Sequence, residues 1–351
     1  MISSSPISRR NSTATRILSV ASKSSLPWSR PTDRHWLVTQ GESDMTNQDL
    51  PKLAFIGLGV MGREMALHLA GAGYPLSVFD ISSAAADAVV AKGATRCESV
   101  AVAVKDAEIA ISMLPNTPQV DDVVNRDGVL ANMKSGSIFI DMSTISPEAT
   151  RAMGAALAGQ GITMLDAPVS GGPIGAKNAA LSIMVGGDRA AFDRAEPVLR
   201  VMGTTISHVG APGAGQTVKL CNQLVCAINI QAVCEALALG RASGVDLSQM
   251  RDVLLGGSAS SWMLEKLGPA MIAGDAGAGF RIDLMLKDLR LVLEMAGQND
   301  VALPGTSLVT AQYVEARAHG EGSNGNQALF RVYDRMTGQD ASRLPVMENQ
   351  S

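Results

Sequence analysis

Hydrophobic and polar positions follow two different patterns along this chain of 351 residues. In the first pattern, short apolar runs alternate with stretches of helical spacing, as is typical of strands buried on both faces of a sheet. The predicted strands are Leu53–Ile56, Leu76–Phe79, Ile109–Leu114, Ser137–Asp141, Thr163–Ala167 and Leu181–Val185. The helices predicted among them are Glu64–Ala72, Ser83–Ala91, Gln119–Val124 and Pro147–Gln160. This alternation predicts an α/β domain of the Rossmann type with a parallel sheet.

The second pattern begins after about Gly210, where strands disappear. Thr217–Ser243 predicts one long helix that stops at Gly244. Further predicted helices are Leu247–Leu255, Met263–Ala273, Leu284–Gly297, Ser307–Ala318 and Asn326–Met336. We therefore expect an all-α domain joined to the first by a long interdomain helix, with the boundary in the Gly-rich link Gly210–Gly215. The predicted segments are an extension over 1–50, the α/β domain over 51–212, the helical domain over 213–340 and a tail over 341–351.

The first 44 residues differ from the rest, because they are rich in Ser and Arg and contain one acid, Asp33, before Glu42. One interpretation is an organellar targeting peptide, which such a composition resembles. The other is a disordered tail or a start placed too far upstream, with Met45 as the true initiator. We favour the second interpretation, which predicts a cytoplasmic protein, whereas a targeting peptide would predict the mitochondrial matrix.

Composition narrows the class of partner. Apolar residues make up 46% of the chain, which suits two cores, and the net charge of −4 gives no reason to expect nucleic acid. The most apolar long stretch, Val218–Gly240, carries too many polar residues to span a membrane. The four cysteines, with no C-x-x-C and no His at metal spacing, predict small buried thiols and no metal site. They are Cys97, Cys221, Cys226 and Cys234.

A glycine motif follows the first predicted strand. The loop Gly57-Leu58-Gly59-Val60-Met61-Gly62 has the spacing G-x-G-x-x-G and opens a helix. In this context the first glycine allows a tight turn, the second lets the backbone approach a pyrophosphate, and the third lets helix and sheet pack closely. The free N–H groups of the helix start suit the phosphates. The loop therefore predicts dinucleotide binding.

Three strand ends should border the same ligand, because ligands of open α/β sheets bind beyond the carboxyl ends of the strands. Asp80 ends the second strand, where a carboxylate accepts the ribose hydroxyls of NAD and repels the 2′-phosphate of NADP. No Arg follows it in Ile81-Ser82-Ser83, so we expect NAD to be preferred. The loop Met113-Leu114-Pro115-Asn116 should border the coenzyme, and Thr144 should lie on its nicotinamide side.

Two further segments carry candidate chemistry. The turn Ser170-Gly171-Gly172 follows a strand and exposes N–H groups with a hydroxyl nearby, which suits a carboxylate; a tight turn without a ligand is the alternative. Lys219 lies near the start of the long apolar helix, where the helix dipole disfavours a cation. It shares a face with Asn222 at the predicted domain junction, where clefts form, although a lysine that reaches solvent has the same pattern.

With these motifs in this order, followed by Lys287-Asp288-Leu289, the sequence resembles the β-hydroxyacid dehydrogenases over Leu53–Met336. The resemblance implies that Lys219 is the catalytic lysine and that Asn222 orients the substrate. It implies that Ser170, Gly171 and Gly172 hold the substrate carboxylate. It also implies that Thr144 lies near the nicotinamide and that Lys287 reaches the coenzyme or substrate. Imine-reducing relatives lack the lysine, so its presence favours C–O chemistry.

The resemblance therefore implies an NAD-dependent oxidoreductase in which Lys219 acts as general acid–base on a small carboxylate-bearing substrate. The segment Gly279–Leu284 is most similar to tartronate semialdehyde (2-hydroxy-3-oxopropionate) reductases, whereas Asn324–Leu329 departs from the usual pattern. The alternatives are 3-hydroxyisobutyrate, an L-threonate-type sugar acid, and a catalytically silent dinucleotide-binding regulator. A homodimer or homotetramer is expected from the family.

Overall fold

The computed structural model describes residues 50–126, 128–277 and 279–338. The predicted extension up to residue 49 and the predicted tail 341–351 lie outside the described residues. The described residues contain a nine-stranded sheet and an α-helical second half. The fold predicted from the hydrophobic pattern, a Rossmann-type half followed by helices, is therefore confirmed.

The sheet runs through the first half of the chain. Its strands are β1 (Leu53–Ile56), β2 (Leu76–Phe79), β3 (Thr95–Arg96), β4 (Ile109–Ser112), β5 (Ile138–Asp141), β6 (Thr163–Asp166), β7 (Val169–Ser170), β8 (Leu181–Gly186) and β9 (Gly203–Gly210). Strands β3, β2, β1, β4, β5 and β6 lie side by side in that order and are parallel. Their carboxyl ends meet at one edge, which is where a ligand of such a sheet binds.

The remaining strands add antiparallel pairs to a sheet that is otherwise parallel. Strands β6 and β7 both pair antiparallel with β8, which in turn is parallel to β9. Residues 171–180, the link from β7 to β8, are fewer than the dozen or so that a parallel crossover needs, so the chain returns antiparallel. Strand β9 was not predicted because its polar, half-exposed sequence Gly203–Gly210 lacks an apolar run.

Helices cover both faces of the sheet. They are α1 (Val60–Gly71), α2 (Asp87–Val90), α3 (Val100–Val104), α4 (Thr117–Asn125), α5 (Val129–Asn132), α6 (Pro147–Ala158), α7 (Gly172–Lys177) and α8 (Arg189–Arg200), with a 3-10 turn at Ser83–Ala86. One apolar core contains Phe55, Ile111 and Ile140, and the core on the opposite face contains Ile56 and Phe139. Adjacent strand residues thus enter different cores, which explains why the strands are apolar throughout.

The second half is built around one long helix, α9 (Ala214–Ala242). The other helices are α10 (Leu247–Leu255), α11 (Trp262–Lys266), α12 (Gly268–Ile272), α13 (Ile282–Gln298), α14 (Pro304–Ala318) and α15 (Phe330–Thr337), with 3-10 turns at Glu321–Ser323 and Asn326–Leu329. The single helix predicted over Met263–Ala273 is wrong, because Pro269 starts a new helix where it lacks an N–H to donate.

Among the described helices, α9 alone is long and apolar enough to cross a membrane by length and composition. Its apolar face has a partner inside the protein, since Ile230, Cys234 and Leu237 share a buried core with Leu289 and Tyr313. A core helix passes the same test of length and hydropathy. The core of the helical half therefore accounts for the buried apolar face of α9.

Candidate active site

The glycine-rich loop joins β1 to α1 with little room for side chains. Gly57 has φ +93°, and a Cβ there would lie 2.4 Å from the Met113 carbonyl oxygen. A Cβ on Gly62 would lie 2.0 Å from the Gly57 carbonyl oxygen, whereas a Cβ on Gly59 would meet nothing within 4 Å. No side chain caps the start of α1. The loop thus offers free helix N–H groups beside an open space, which fits the pyrophosphate of a dinucleotide.

Asp80, which follows β2, is hydrogen-bonded to the backbone of this loop. Its Oδ2 accepts a hydrogen bond from Leu58 N at 2.6 Å, and its Oδ1 accepts one from Ser82 N at 2.8 Å. A cavity of about 510 Å³ opens beside Asp80 and is also lined by Phe79, Ile81, Arg96 and Cys97. Arg96 was not expected there, because it follows Asp80 by sixteen positions and reaches the cavity through the pairing of β3 with β2.

The two loops expected to border the coenzyme are joined. Leu114 N donates to Ser143 Oγ at 2.8 Å, and Met113 N donates to the Ile56 carbonyl oxygen at 2.9 Å. Pro115 is exposed, and Asn116 starts α4 with a buried Oδ1 that accepts no hydrogen bond from the described residues. The backbone of these loops is therefore fixed by hydrogen bonds.

Asp141 lies beneath these loops at the end of β5 and is fully buried. Its Oδ1 accepts from Ser112 Oγ at 2.8 Å and from Ser143 N at 3.2 Å. Its Oδ2 has no hydrogen-bond partner among the described residues. Burial raises the pKa of Asp141 to about 6, against the lowering effect of the hydrogen bonds from Ser143 and Ser112.

Gln216 of α9 holds the loop that carries Thr144. Its Nε2 donates to the Ser143 carbonyl oxygen at 2.8 Å, and its Oε1 accepts from Ile145 N at 3.1 Å. One buried amide thus satisfies backbone groups on both sides of Thr144. The loop expected on the nicotinamide side is thereby attached to the interdomain helix.

Asp166 attaches the start of that helix to the sheet. Its Oδ1 accepts from Gly213 N at 2.8 Å and its Oδ2 accepts from Gln216 N at 2.9 Å. A carboxylate at a helix N-terminus is stabilised by the free N–H groups and by the helix dipole. Burial nevertheless raises the pKa of Asp166, because these backbone hydrogen bonds only partly offset the desolvation of its charge.

Lys219 lies on the next turn of α9 and is 5% exposed, so it is not a lysine that reaches solvent. Its Nζ donates to Gln223 Oε1 at 3.0 Å, and Asn222 Nδ2 donates to the same oxygen at 2.8 Å. Burial lowers the pKa of Lys219, and nearby Lys287 lowers it further, whereas Asp288 and Cys226 raise it. The structure thus brings Lys219 and Asn222 together around one amide.

Lys287 reaches across from α13 to the first half of the chain. Its Nζ donates to the Thr144 carbonyl oxygen at 2.5 Å and lies 2.8 Å from Asp288 Oδ1. Asp288 is 1% exposed, and its Oδ2 accepts from Gln223 Nε2 at 2.6 Å. Contacts therefore run without a break from Lys219 through Gln223, Asp288 and Lys287 to Thr144.

The Ser170-Gly171-Gly172 turn lies outside this set of contacts. Gly171 and Gly172 have φ +129° and +60°, so the turn requires glycine as expected. It begins at the end of β7, which continues along β8 from the point where β6 pairs with that strand. Within the part of the chain that the structure describes, no hydrogen bond joins it to Lys219 or Asn222.

Sequence reasoning assigned no role to Gln216, Gln223, Asp166 or Asp288. A signal for the glutamines existed, since Gln216, Lys219 and Gln223 follow the spacing i, i+3, i+7 on an otherwise apolar helix. All three side chains are buried. Three polar residues at that spacing lie on one face of the helix, and on an apolar helix they predict buried hydrogen bonds to other elements.

The cysteine prediction is wrong in part. Cys234 is buried, Cys97 and Cys226 are half-buried, and Cys221 is exposed because it lies on the solvent face of α9 between Val218 and Val225. All four thiols are free. Within residues 50–126, 128–277 and 279–338, no three His, Cys, Asp or Glu side chains are grouped so as to hold a metal ion.

Two family models match the chain in sequence. Residues 52–210 match the NAD binding domain of 6-phosphogluconate dehydrogenase. Residues 213–333 match the NAD-binding domain of NADP-dependent 3-hydroxyisobutyrate dehydrogenase. Together the two matches span nearly all the described residues and meet at the link before α9.

Individual relatives agree with these matches. The 2-(hydroxymethyl)glutarate dehydrogenase of Eubacterium barkeri is 40% identical over 293 residues, which cover 83% of this chain and 97% of the relative. The 2-hydroxy-3-oxopropionate reductase of Escherichia coli is 40% identical over 286 residues, or 81% and 98%. A 3-hydroxyisobutyrate dehydrogenase of Mycobacterium tuberculosis, in a structure with L-serine, superposes with a TM-score of 0.75 at 35% identity over 80% and 98%.

These relatives are dehydrogenases or reductases, and their length is covered almost completely. The fold, the glycine-rich loop and the buried lysine of the interdomain helix fit the same class. The chain therefore belongs to the β-hydroxyacid dehydrogenase family and is a nicotinamide-dependent oxidoreductase that acts on CH–OH groups.

Proposed function

We propose that this enzyme reduces 2-hydroxy-3-oxopropionate to glycerate with NADH and that Lys219 is its general acid–base. The observation that carries the catalytic assignment is the buried amine of Lys219. It is held beside Asn222 at the junction, where Lys287 reaches the Thr144 loop. A buried, hydrogen-bonded amine next to the expected coenzyme site is suited to proton transfer.

The chain's own residues account for the proton. The glycine-rich loop Gly57–Gly62 would hold the coenzyme, which when bound would supply hydride for reduction or accept it in oxidation. In reduction Lys219 gives a proton to the carbonyl oxygen, and in oxidation it takes the proton from the hydroxyl. Because burial lowers the pKa of Lys219, both forms of the amine are accessible nearer to neutral pH than for an exposed lysine. The N–H groups of the Ser170–Gly172 turn would hold the substrate carboxylate.

The names of the relatives define a common substrate unit. Each compound carries a CH₂OH group on the carbon next to the carboxylate. This holds for the glycerate formed when 2-hydroxy-3-oxopropionate is reduced, and for 2-(hydroxymethyl)glutarate, 3-hydroxyisobutyrate and L-serine. They differ in the third group on that carbon, which is hydroxyl, propionate, methyl or ammonium. We propose the compound with the hydroxyl group, 2-hydroxy-3-oxopropionate, because the segment Gly279–Leu284 is most similar to 2-hydroxy-3-oxopropionate reductases. The methyl compound, 3-hydroxyisobutyrate, is the second candidate, and an L-threonate-type acid is the third.

A panel of these acids tests the proposal. Initial rates would be measured in both directions with NAD and NADP, beside calorimetric titration of each nucleotide. The expected result is the highest kcat/KM with 2-hydroxy-3-oxopropionate and NADH. A higher value with 3-hydroxyisobutyrate would reassign the substrate. Nucleotide binding without turnover of any acid would support a dinucleotide-binding regulator instead.

The preference for NAD is a separate part of the proposal and depends on Asp80. Its carboxylate faces the cavity beside β2, where it would accept ribose hydroxyls and repel a 2′-phosphate. Arg96 lines the same cavity, but it is paired with Asp87. The Asp80 carboxylate therefore favours NAD over NADP. The Arg96 guanidinium, which could bind a 2′-phosphate, is already paired with Asp87.

We predict that Asp80→Asn lowers kcat/KM for NADH by about tenfold, the size of one hydrogen bond to a charged group, and raises it for NADPH. Steady-state kinetics with both coenzymes would measure this change. Asp87→Asn is the matched control, because it releases Arg96 and leaves Asp80 in place; it should help NADPH without harming NADH. A wild-type enzyme that prefers NADPH would contradict the assignment.

Oligomeric state and location stay predictions. Val218, Val225 and Leu239 leave apolar side chains exposed on α9, which suits a face covered by a second copy. Light scattering coupled to size-exclusion chromatography would distinguish the expected dimer or tetramer from a monomer. The cytoplasm remains the predicted compartment.

A further inference from the structure

We propose that Gln223 and Asp288 are positioning residues for Lys219. The Gln223 amide oxygen holds the Lys219 amine, and Asp288 fixes that amide from the opposite side. The inference rests on the proposed role of Lys219 as the proton donor and acceptor. It adds two residues, 65 positions apart in sequence, that set the direction and the charge of the amine.

The orientation of the Gln223 amide is determined by its neighbours. Two donors, Lys219 Nζ and Asn222 Nδ2, face one end of the amide at 3.0 and 2.8 Å. An acceptor, Asp288 Oδ2, faces the other end at 2.6 Å. A flipped amide would place its NH₂ group against the lysine and its oxygen against the carboxylate. One orientation is therefore strongly favoured.

This orientation has a chemical consequence for Lys219. A neutral lysine amine has two N–H donors and one lone pair. When Gln223 Oε1 accepts one N–H, the amine can no longer rotate freely, and its lone pair is restricted to the two remaining positions on the nitrogen. A general base has to point at the proton that it removes, so the amide reduces the loss of conformational freedom at the moment of transfer.

Asp288 also acts on the charge of the amine. The charged and titratable groups facing Lys219 are Asp288 and Lys287 from α13 and Cys226 from α9 itself. The carboxylate favours the protonated amine, whereas burial and Lys287 favour the neutral one. Since Lys287 also contacts Asp288 and the Thr144 carbonyl oxygen, the same carboxylate links the amine to the coenzyme-side loop.

The test uses the full-length enzyme with bound coenzyme and compares pH profiles of kcat/KM. Asp288→Asn keeps an oxygen for Gln223 and removes the charge. We expect the pKa of Lys219 in the profile to fall by about one pH unit, the lower end of the effect of a nearby opposite charge. Gln223→Glu is made in the Asp288→Asn background, because beside Asp288 a second carboxyl would share a proton and add no charge. In that background it keeps an acceptor and adds a charge, so it should move the profile to higher pH. Opposite shifts are the signature of the proposed roles.

Gln223→Leu removes the acceptor altogether. It should lower kcat about tenfold, as expected for one hydrogen bond, and leave the KM for NAD unchanged. The matched control is Gln231→Leu on the same helix. The Gln231 amide is also buried, and it donates to Glu235 Oε1 at 3.2 Å. This control should lower stability without moving the pH profile. Equal profiles for wild type, Asp288→Asn and the double variant with Gln223→Glu would overturn the proposal.

A second measurement separates this inference from the proposed activity and does not need a substrate. The rate at which acetic anhydride acetylates Lys219, followed by mass spectrometry across a pH series, reports the neutral amine directly. Asp288→Asn should shift the midpoint of this curve to lower pH, and adding Gln223→Glu to that variant should shift it back to higher pH. Unshifted curves would refute the positioning roles. Shifted curves in an enzyme that turns over no hydroxyacid would refute the proposed function alone.

Discussion

The glycine-rich loop and the domain junction are held by interactions of different kinds. In the loop, contacts are made by backbone atoms, and a single carboxylate 22 positions away, Asp80, completes them. At the junction, contacts are made by side chains whose partners are 47, 65 and 143 positions apart. The loop therefore depends on the absence of side-chain atoms, and the junction depends on the identity of particular side chains. Damage to the first should weaken coenzyme binding, and damage to the second should weaken proton transfer.

The largest expected effect is at the junction. Lys219→Ala should lower kcat by about two to four orders of magnitude, the usual contribution of a general acid–base group, because it removes the amine held beside Asn222. Calorimetry should show coenzyme affinity unchanged, since the glycine-rich loop is untouched. A fall of less than tenfold in a folded variant would mean that another group moves the proton.

Asp141, between the two regions, should show its effect in stability rather than in turnover. Its pKa is raised to about 6 by burial, so the folded state keeps its proton between pH 4 and 6 while the unfolded state loses it. Stability contributed by the neutral form is therefore lost as pH rises through this window, and the loss amounts to about 3 kcal/mol. Asp141→Asn has no carboxyl to ionise there and lacks this loss. The free energy of unfolding of the variant, relative to that of wild type, should therefore increase from pH 4 to pH 6.

Urea unfolding at a series of pH values measures this difference. Asp106→Asn is the control, because Lys134 lowers the pKa of the Asp106 carboxyl, and its contribution is lost only at lower pH. The difference between Asp106→Asn and wild type should stay flat from pH 4 to pH 6. A flat difference for Asp141→Asn as well would show that Asp141 is ionised throughout.

A smaller effect is expected in the loop, where two glycines can be compared. Gly62→Ala forces a Cβ to within 2.0 Å of the Gly57 carbonyl oxygen, so α1 must shift. It should lower both stability and NAD affinity by about 1–3 kcal/mol, the usual range for overpacking. Gly59→Ala meets no protein atom within 4 Å and should weaken NAD binding alone. Equal losses of stability in the two variants, measured by thermal unfolding, would contradict this distinction.

The same division by range explains what the sequence could predict. The parallel strands and the glycine motif follow from local patterns, and strand β2 was predicted with its observed bounds, Leu76–Phe79. Strand β9 was missed because its sequence is polar and half-exposed. Its identity as a strand comes from pairing with β8 rather than from its own residues.

For the site, the sequence indicated Lys219 and Asn222 but gave no reason to connect Gln223 with Asp288. A glutamine inside a helix is ordinarily a surface residue. Its burial here depends on α13, which packs on α9 only in the folded chain. Likewise Arg96 enters the cavity beside Asp80 through strand pairing. Residues that act through distant partners require the tertiary structure.

The Asp166 contact at the start of α9 also limits how family members can be recombined. A hybrid that takes residues up to 212 from this chain and its helices from a relative would inherit the carboxylate but not the backbone that it binds. A Cβ at Gly215 would lie 2.4 Å from the Met184 carbonyl oxygen and 2.6 Å from that of Asp166. The relative must therefore supply glycine at that position. The end of β6 and the start of α9 would therefore have to come from the same parent. A crossover inside α9 should tolerate more divergent parent sequences than a crossover at residue 212.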